Sequence, residues 1–239
     1  MSGSAKLLFP NSRAPRLDAV WLNTAGGITG GDSFALDVAV AAGAAATLTT
    51  QAAERVYRAL PGEVGRVETT LSAEAGAVLH WLPQETILYD RAALDRTLSV
   101  DLAGDAAFLG VETLIFGRRA MGERVRGIHL RDRIDLRREG ALLYADRLRL
   151  EGDAEETLRQ RCVADGAGAM ATIVLARTGA ATALDDLRAA LPAMSGASAL
   201  SDDLVVARLL APDGFEMRRA LCPILARLSG ADLPRPWMI

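Results

Sequence analysis

Carboxylates and arginines carry most of the chemistry this chain has to offer. It holds two histidines, His80 and His129, and two cysteines, Cys162 and Cys222. A structural zinc site needs about four closely spaced Cys or His ligands, and these four are scattered, with no CxxC and no HxxxH. Two distant cysteines in a chain of 239 residues read as reduced thiols rather than a disulfide framework. Each histidine alternates with apolar neighbours in a strand-like segment and reads as a half-buried structural imidazole. Cys222, on a helix before Pro223, reads as a small core residue.

Three segments place acids where they could act. The first is Asn23–Asp32, NTAGGITGGD, with four glycines in six positions. It lacks both a GK[ST] ending and GxGxxG spacing, and no helix pattern follows, so it is not a phosphate loop. Asp32 closes a tight turn, where a carboxylate accepts local N–H bonds. The loop is either a purely structural hairpin or a functional turn. The second is Trp81–Ala92, WLPQETILYDRA: Pro83 breaks a strand, Gln84 and Glu85 fall at the bend, and Asp90 and Arg91 form a surface pair. The third is Val111–Glu123, VETLIFGRRAMGE, with Glu112 and Glu123 at its ends. An acid in an apolar strand, like Glu112, must face a polar cavity, a partner or an arginine, unless that face is solvated. Asp146 lies in ADRLRL, where Arg147 or Arg149 could form an ordinary cross-strand pair with it. A carboxylate hydrolase using Glu85 and Glu112 would need a concave pocket and a shifted pKa. No GxSxG nucleophile elbow occurs.

Composition limits the partners. Thirty acidic and 27 basic residues leave a net charge of −3, and every basic residue except Lys6 is an arginine. Acids and arginines are interspersed, so there is no basic footprint for nucleic acid. The longest uncharged stretch, Val38–Ala53, is too short and too polar for a membrane span. The N-terminal MSGSAKLLFPNSRAP lacks the apolar core of a signal peptide. Half of the residues are hydrophobic, enough for one large core or two small ones.

The elements that position these residues are mostly strands. Apolar or alternating runs predict strands at Leu17–Asn23, Phe34–Val40, Val67–Leu71, Val78–Leu82, Leu98–Leu102 and Ala107–Leu114. Further strands are predicted at Arg124–Leu130, Arg133–Arg137, Leu142–Leu150 and Val205–Leu210. Residues 42–59 and 75–92 align at an offset of 33, sharing an Ala-Gly-Ala turn, a glutamine (Gln51 and Gln84) and an Arg-Ala ending, with a looser third copy at 103–120. The copies are either stacked strand–turn–strand units or a chance likeness of Ala-rich strand pairs. Ala183–Leu191 has helical spacing and stops at Pro192. Phe215–Leu228 places Met217, Leu221, Leu225 and Leu228 on one face, an amphipathic helix despite Pro223. The expected fold is mainly β, stacked units forming sheets, with a few α-helices toward the C-terminus.

NTAGGITGGD, LTTQAAERVYR, WLPQETILYDRA, FGRRAMGE, LRDRIDLRREG, ADRLRLEG and the terminal PRPW, in this order, resemble the urease accessory protein UreD family, called UreH in some organisms. The resemblance runs from about Gly3 to Trp237 and implies a single UreD-type domain over 1–239. It lacks the further N-terminal stretch usual in the family, and missing strands would leave a sheet edge unpaired. The resemblance further implies a cytoplasmic, non-catalytic chaperone for inserting nickel into urease apoprotein. Its partners would be UreF, the GTPase UreG through UreF, and the apoprotein, assembled as a dimer of heterodimers with UreF. No cofactor would be tightly bound, and Ni²⁺ would be transient.

By the resemblance, Asp32, Glu112 and Asp146 line a polar passage and touch nickel briefly, with Glu85 and Glu123 further candidates. Carboxylate and water ligands hold nickel more weakly than imidazole or thiolate sets, which suits a conduit better than a store. Buried acids facing water would fit this reading, and a dry, arginine-paired arrangement would count against it. The alternative is a pure protein scaffold without nickel contact. Tyr57 and Arg58 serve packing or partner contact, and Phe215, Met217 and Trp237 are a candidate contact for UreF.

Overall fold

The computed structural model describes residues 3–11 and 16–238. The N-terminal segment read for a leader therefore lies partly outside the described residues. In chain order the strands are β1 (Ala5–Leu8), β2 (Leu17–Asn23), β3 (Ser33–Val40), β4 (Ala45–Thr50), β5 (Glu54–Val56), β6 (Gly65–Ala73), β7 (Val78–Trp81) and β8 (Thr86–Leu88). They continue with β9 (Ala92–Leu102), β10 (Ala107–Phe116), β11 (Ile128–Arg138), β12 (Ala141–Gly152), β13 (Ala169–Ala176), β14 (Gly196–Ser201) and β15 (Leu204–Ala211). Among the described residues three α-helices are interspersed: α1 (Ala154–Arg159), α2 (Leu184–Ala190) and α3 (Gly214–Ser229). The fold is mainly β, as expected.

The strands form two sheets. One runs β1-β2-β4-β7-β10-β13-β15-β14, with β8 also paired to β10 and β5 to β8; the other runs β12-β11-β9-β6-β3. From β2 to β11 the chain alternates between the sheets, so successive passes stack as parallel rungs, whereas β1, β12, β13, β14 and β15 join antiparallel. The repeat seen in the sequence is this stacking. Ala45 pairs with Val78 at the predicted offset of 33, while Val78 pairs with Ala107 and Thr86 with Leu114 in the third copy. The turns between sheets stack as well. Gly43 and Gly76 both have φ near +70°, a conformation that costs glycine little. The Gly43 N–H donates to the Ala75 carbonyl at 3.0 Å, and the Gly76 N–H donates to the Asp105 carboxylate at 2.7 Å.

Most strands stand close to their predicted places, with one correction. Arg124–Leu130 and Arg133–Arg137 are not two strands. Arg124–Gly127 is irregular, and β11 runs unbroken through Asp132. A charged residue inside an apolar run looks like a break, but Asp132 is buried and paired within the core.

Alternation sorts the side chains into three layers. Along β10, Phe108, Leu114 and Phe116 face the second sheet, whereas Leu109, Val111 and Ile115 face the opposite way, toward the helices. On the helix side, α3 lays Met217, Leu221, Ile224, Leu225 and Leu228 against Ile173, Val205 and Leu209. The Asp213 carboxylate caps α3 by accepting from the Glu216 N–H, and Gly230 in the left-handed region ends it. The helix continues through Pro223, as the amphipathic pattern predicted.

The C-terminal residues considered for a partner surface divide. Met217 and Trp237 are buried against the sheet, and the Trp237 indole N–H donates to the Leu82 carbonyl at 2.9 Å. Only Phe215 is exposed. Met217 and Trp237 therefore serve the core rather than a partner face. Replacing the fully buried Leu225 with alanine should lower unfolding free energy by about 2–5 kcal/mol, by lost transfer energy plus a cavity. The check is a lower denaturant midpoint at unchanged slope.

Candidate functional site

Glu112 faces the space between the sheets, where the apolar core divides into two clusters. Arg96 on β9 lies on the same inward face as Leu94 and Leu98, and Asp132 on β11 on the same face as Leu130 and Ile134. A guanidinium and two carboxylates thus occupy the gap. Arg96 Nη1 lies 2.6 Å from the Glu112 carboxylate. Its Nε and Nη2 donate to both oxygens of Asp132, at 2.9 and 2.7 Å. The Trp81 indole N–H donates to Glu112 at 2.7 Å, and Arg96 Nη1 also donates to the Thr86 hydroxyl at 3.1 Å. All three charged side chains are about nine-tenths buried.

One guanidinium faces two carboxylates. Burial disfavours the charge of Arg96, but Asp132 and Glu112 override it and hold the guanidinium protonated. The bidentate fork goes to Asp132. Burial, with the nearby Asp132 charge, raises the Glu112 pKa against the pull of Arg96. Beside this triad lies a cavity of about 40 Å³, room for roughly two or three waters. Glu54 lines it too, and burial raises its pKa while the Asn23 amide, donating at 3.3 Å, lowers it.

The five acids read from the sequence are not brought together. Asp32 stays in its own turn, accepting from the Thr29 N–H at 2.9 Å, next to β3. Asp146 lies on β12, at the opposite edge of the five-stranded sheet from β3, about 19 Å away by strand spacing. Its carboxylate pairs with Arg208 of the other sheet, and neither Arg147 nor Arg149 pairs with it through its guanidinium: they reach Asp135 and Glu151. Glu85 is half-buried, 3.8 Å from Arg218 on the helix side. Glu123 pairs with Arg118, whose hydrogen bond lowers its pKa. Glu112, Asp146, Glu123 and, more loosely, Glu85 are thus the arginine-paired arrangement, and Asp32 is bonded to backbone. Among the described residues no three His, Cys, Asp or Glu side chains are grouped to hold a metal ion.

Three members of the central cluster were not singled out in the sequence: Arg96, Asp132 and Glu54. The signal that flagged Glu112 also marks Arg96, a charged side chain on an otherwise apolar strand face. Of the two histidines, His129 is half-buried between Asp95 and Glu151. His80 is buried rather than half-buried, and its Nδ1 lies 3.3 Å from Arg16 Nη1.

Two predictions follow from these pairings. Arg96→Ala would leave two buried carboxylates without their counter-charge and should cost about 3–5 kcal/mol of stability, read from the denaturant midpoint. Burial, then the charges of Arg16 and Arg177, lowers the His80 pKa to about 4 from its ordinary 6.5. Between these values the unfolded chain binds a proton that the folded chain refuses. Stability should therefore fall by roughly 3 kcal/mol as pH drops from about 6.5 to about 4. His80→Gln should flatten that slope; an unchanged slope would remove His80 as its source.

The family model described as UreD urease accessory protein matches residues 1–238. A urease accessory protein UreD from Roseobacter denitrificans is 50% identical over 238 residues, covering 100% of this chain and 87% of that protein. One from Ruegeria pomeroyi is 48% identical, covering 100% of this chain and 93% of its own. A UreD 1 from Brucella melitensis is 44% identical over 242 residues, covering 99% and 86%. Full-length agreement of this kind, on a mainly β fold with the motifs in order, shows that the chain belongs to the UreD urease accessory protein family.

Proposed function

We propose that the chain is a non-catalytic maturation chaperone for urease, a scaffold that helps nickel into the apoprotein in a cytoplasmic complex with UreF and, through it, UreG. The observation that carries the scaffold role is the pairing of its carboxylates. Glu112, Asp146 and Glu123 each face an arginine, and a guanidinium in the position of a cation competes with nickel for the same oxygens. The hydrolase reading has less support, because Glu85 and Glu112 lie on different sides of the first sheet, each toward its own arginine.

A second reading has its own observation. The cavity between the sheets is lined by Glu54 and Glu112, both with raised pKa, and an adjoining surface cleft shares Trp21, Thr50 and Glu54 with it. Nickel could pass there as a cargo exchanging with water, without a resident site.

The test is urease activation in cells supplying apoprotein, UreF, UreG and nickel. Omitting this chain should leave urease without nickel and inactive, and restoring it should recover both. Glu112→Gln and Asp146→Asn should keep assembly and activation. Lost activation with intact assembly would favour the passage, and full activation without the chain would overturn the proposal.

A further inference from the structure

Helices α2 and α3 cover the outer face of the first sheet, while the outer face of the second lies open. Its side chains are the alternates of the buried ones. On β9 and β11, Leu94, Leu98, Leu130 and Ile134 point into the core, so Asp95, Asp101, Arg131, Arg133, Asp135 and Arg137 point out. On β3 and β6 the outward positions include Asp37, Arg66 and Glu68, and on β12 they include Arg147, Arg149 and Glu151. All of these are exposed or half-buried. Short side chains, among them Ala35, Thr70, Thr97, Ser99 and Ala145, hold the positions between the charges, so no bulky group rises from the middle of the face.

Charge is segregated across this face. On β11 and β12 the outward positions carry five arginines (131, 133, 137, 147 and 149) against two acids, Asp135 and Glu151. On β3, β6 and β9 they carry four acids (37, 68, 95 and 101) against one base, Arg66. One half is therefore positive by three charges, the other negative by three, and the whole is neutral. His129, on β11, adds to the positive half only when protonated. The segregation costs stability, because Arg133 stands directly opposite Arg147 and Arg131 directly opposite Arg149, and like charges so placed repel. The ion pairs of the face engage Asp95, Asp135 and Glu151. Among the described residues Arg133, Asp37, Glu68 and Asp101 make none. Glu68, Thr97, Arg133 and Arg147 lie in one row in register, which keeps Glu68 two strands, about 10 Å, from Arg133.

We propose that this face pairs with the same face of a second copy of the chain. A twofold axis parallel to β9, the middle strand, lays β11 and β12 of each copy over β6 and β3 of the other. Each positive half then covers a negative half, and Arg133 of one copy meets Glu68 of the other in the shared row, an isologous contact. Charges that find no counter-charge within the chain find one between chains. A partner of single sign, such as nucleic acid or a uniformly acidic protein surface, is repelled by one half of the face. The short central side chains let two sheets approach to about 10 Å. Strand spacing gives a width of about 19 Å, and roughly eight residues give a length of about 26 Å. The resulting area, about 500 Å² a side, is below that of a standard interface, so the pairing is weak and sensitive to salt.

Sedimentation of the purified full chain tests this, whatever the fate of the urease-accessory reading. The wild type should form a dimer at low salt, with a dissociation constant that rises roughly tenfold or more at high salt. The double variant R133E/R147E makes both halves of the face negative, and D37R/E68R makes both positive. Each alone should sediment as a monomer at low salt, and an equal mixture of the two should pair one to one. Arg219→Glu, a charge reversal on α3 outside the face, should pair as the wild type does. Should R133E/R147E lose its β signal in circular dichroism, Arg133→Glu alone, which breaks no ion pair, takes its place and should weaken the dimer. A wild-type monomer at low salt, reversed variants that pair as well as the wild type, a mixture that stays monomeric, or an equal loss in the Arg219 control would each overturn the proposal.

Discussion

A single guanidinium closes the interior of this protein. Arg96 reaches from one sheet to Glu112 on the other while holding Asp132 beside it, and it lies where the inter-sheet core would otherwise be continuous hydrocarbon. Carboxylates cannot be left there alone, because an unpaired buried charge costs several kcal/mol. The three residues come from β9, β10 and β11, so satisfying them requires all three strands in one register and both sheets at one separation. Apolar packing alone would tolerate a slip. The ion cluster does not, since moving any of these strands by one residue turns its charged side chain to the other face.

The same constraint shapes the cavity. Stacked rungs normally fill their interior with aliphatic side chains, as Leu71, Leu79 and Val100 do here on one side and Leu88, Leu94 and Leu130 on the other. Between these clusters the charged side chains and the Trp81 indole need directional partners, and planar groups that meet at hydrogen-bonding angles pack less completely than branched aliphatics. The void beside Glu112 and Glu54 is a consequence of that geometry. Its presence is compatible with a passage for cargo and equally with a core that accepts a few waters to complete its hydrogen bonds.

Much of this was readable in the sequence because strand alternation and turn chemistry are local. Leu17–Asn23 matches β2 at both ends, and the Ala-Gly-Ala turns mark where the chain crosses between sheets. The helix face of Met217, Leu221, Leu225 and Leu228 is buried as its spacing required. What local pattern could not supply was pairing across long separations. Asp132 looked like the end of a strand because its partner stands 36 residues earlier. Asp146 seemed to belong with the neighbouring arginines, yet its partner is Arg208, 62 residues away on the other sheet. β13 escaped notice since a mostly apolar run, AMATIVLA, buried on both faces, has no alternation to reveal it.

The two polar regions of the molecule consequently differ in kind. Inside, Arg96 answers the carboxylates of two other strands at once, and that arrangement ties the strands to one register. At the loop end, the carboxylates of Asp90 and Glu123 bind backbone N–H groups and order the turns. The same carboxylates also meet the Arg91 and Arg118 guanidiniums. The loops are thus held by backbone bonds and ion pairs together. Interior pairing fixes strand register, and the backbone-bound acids at one end fix the turns that join the strands.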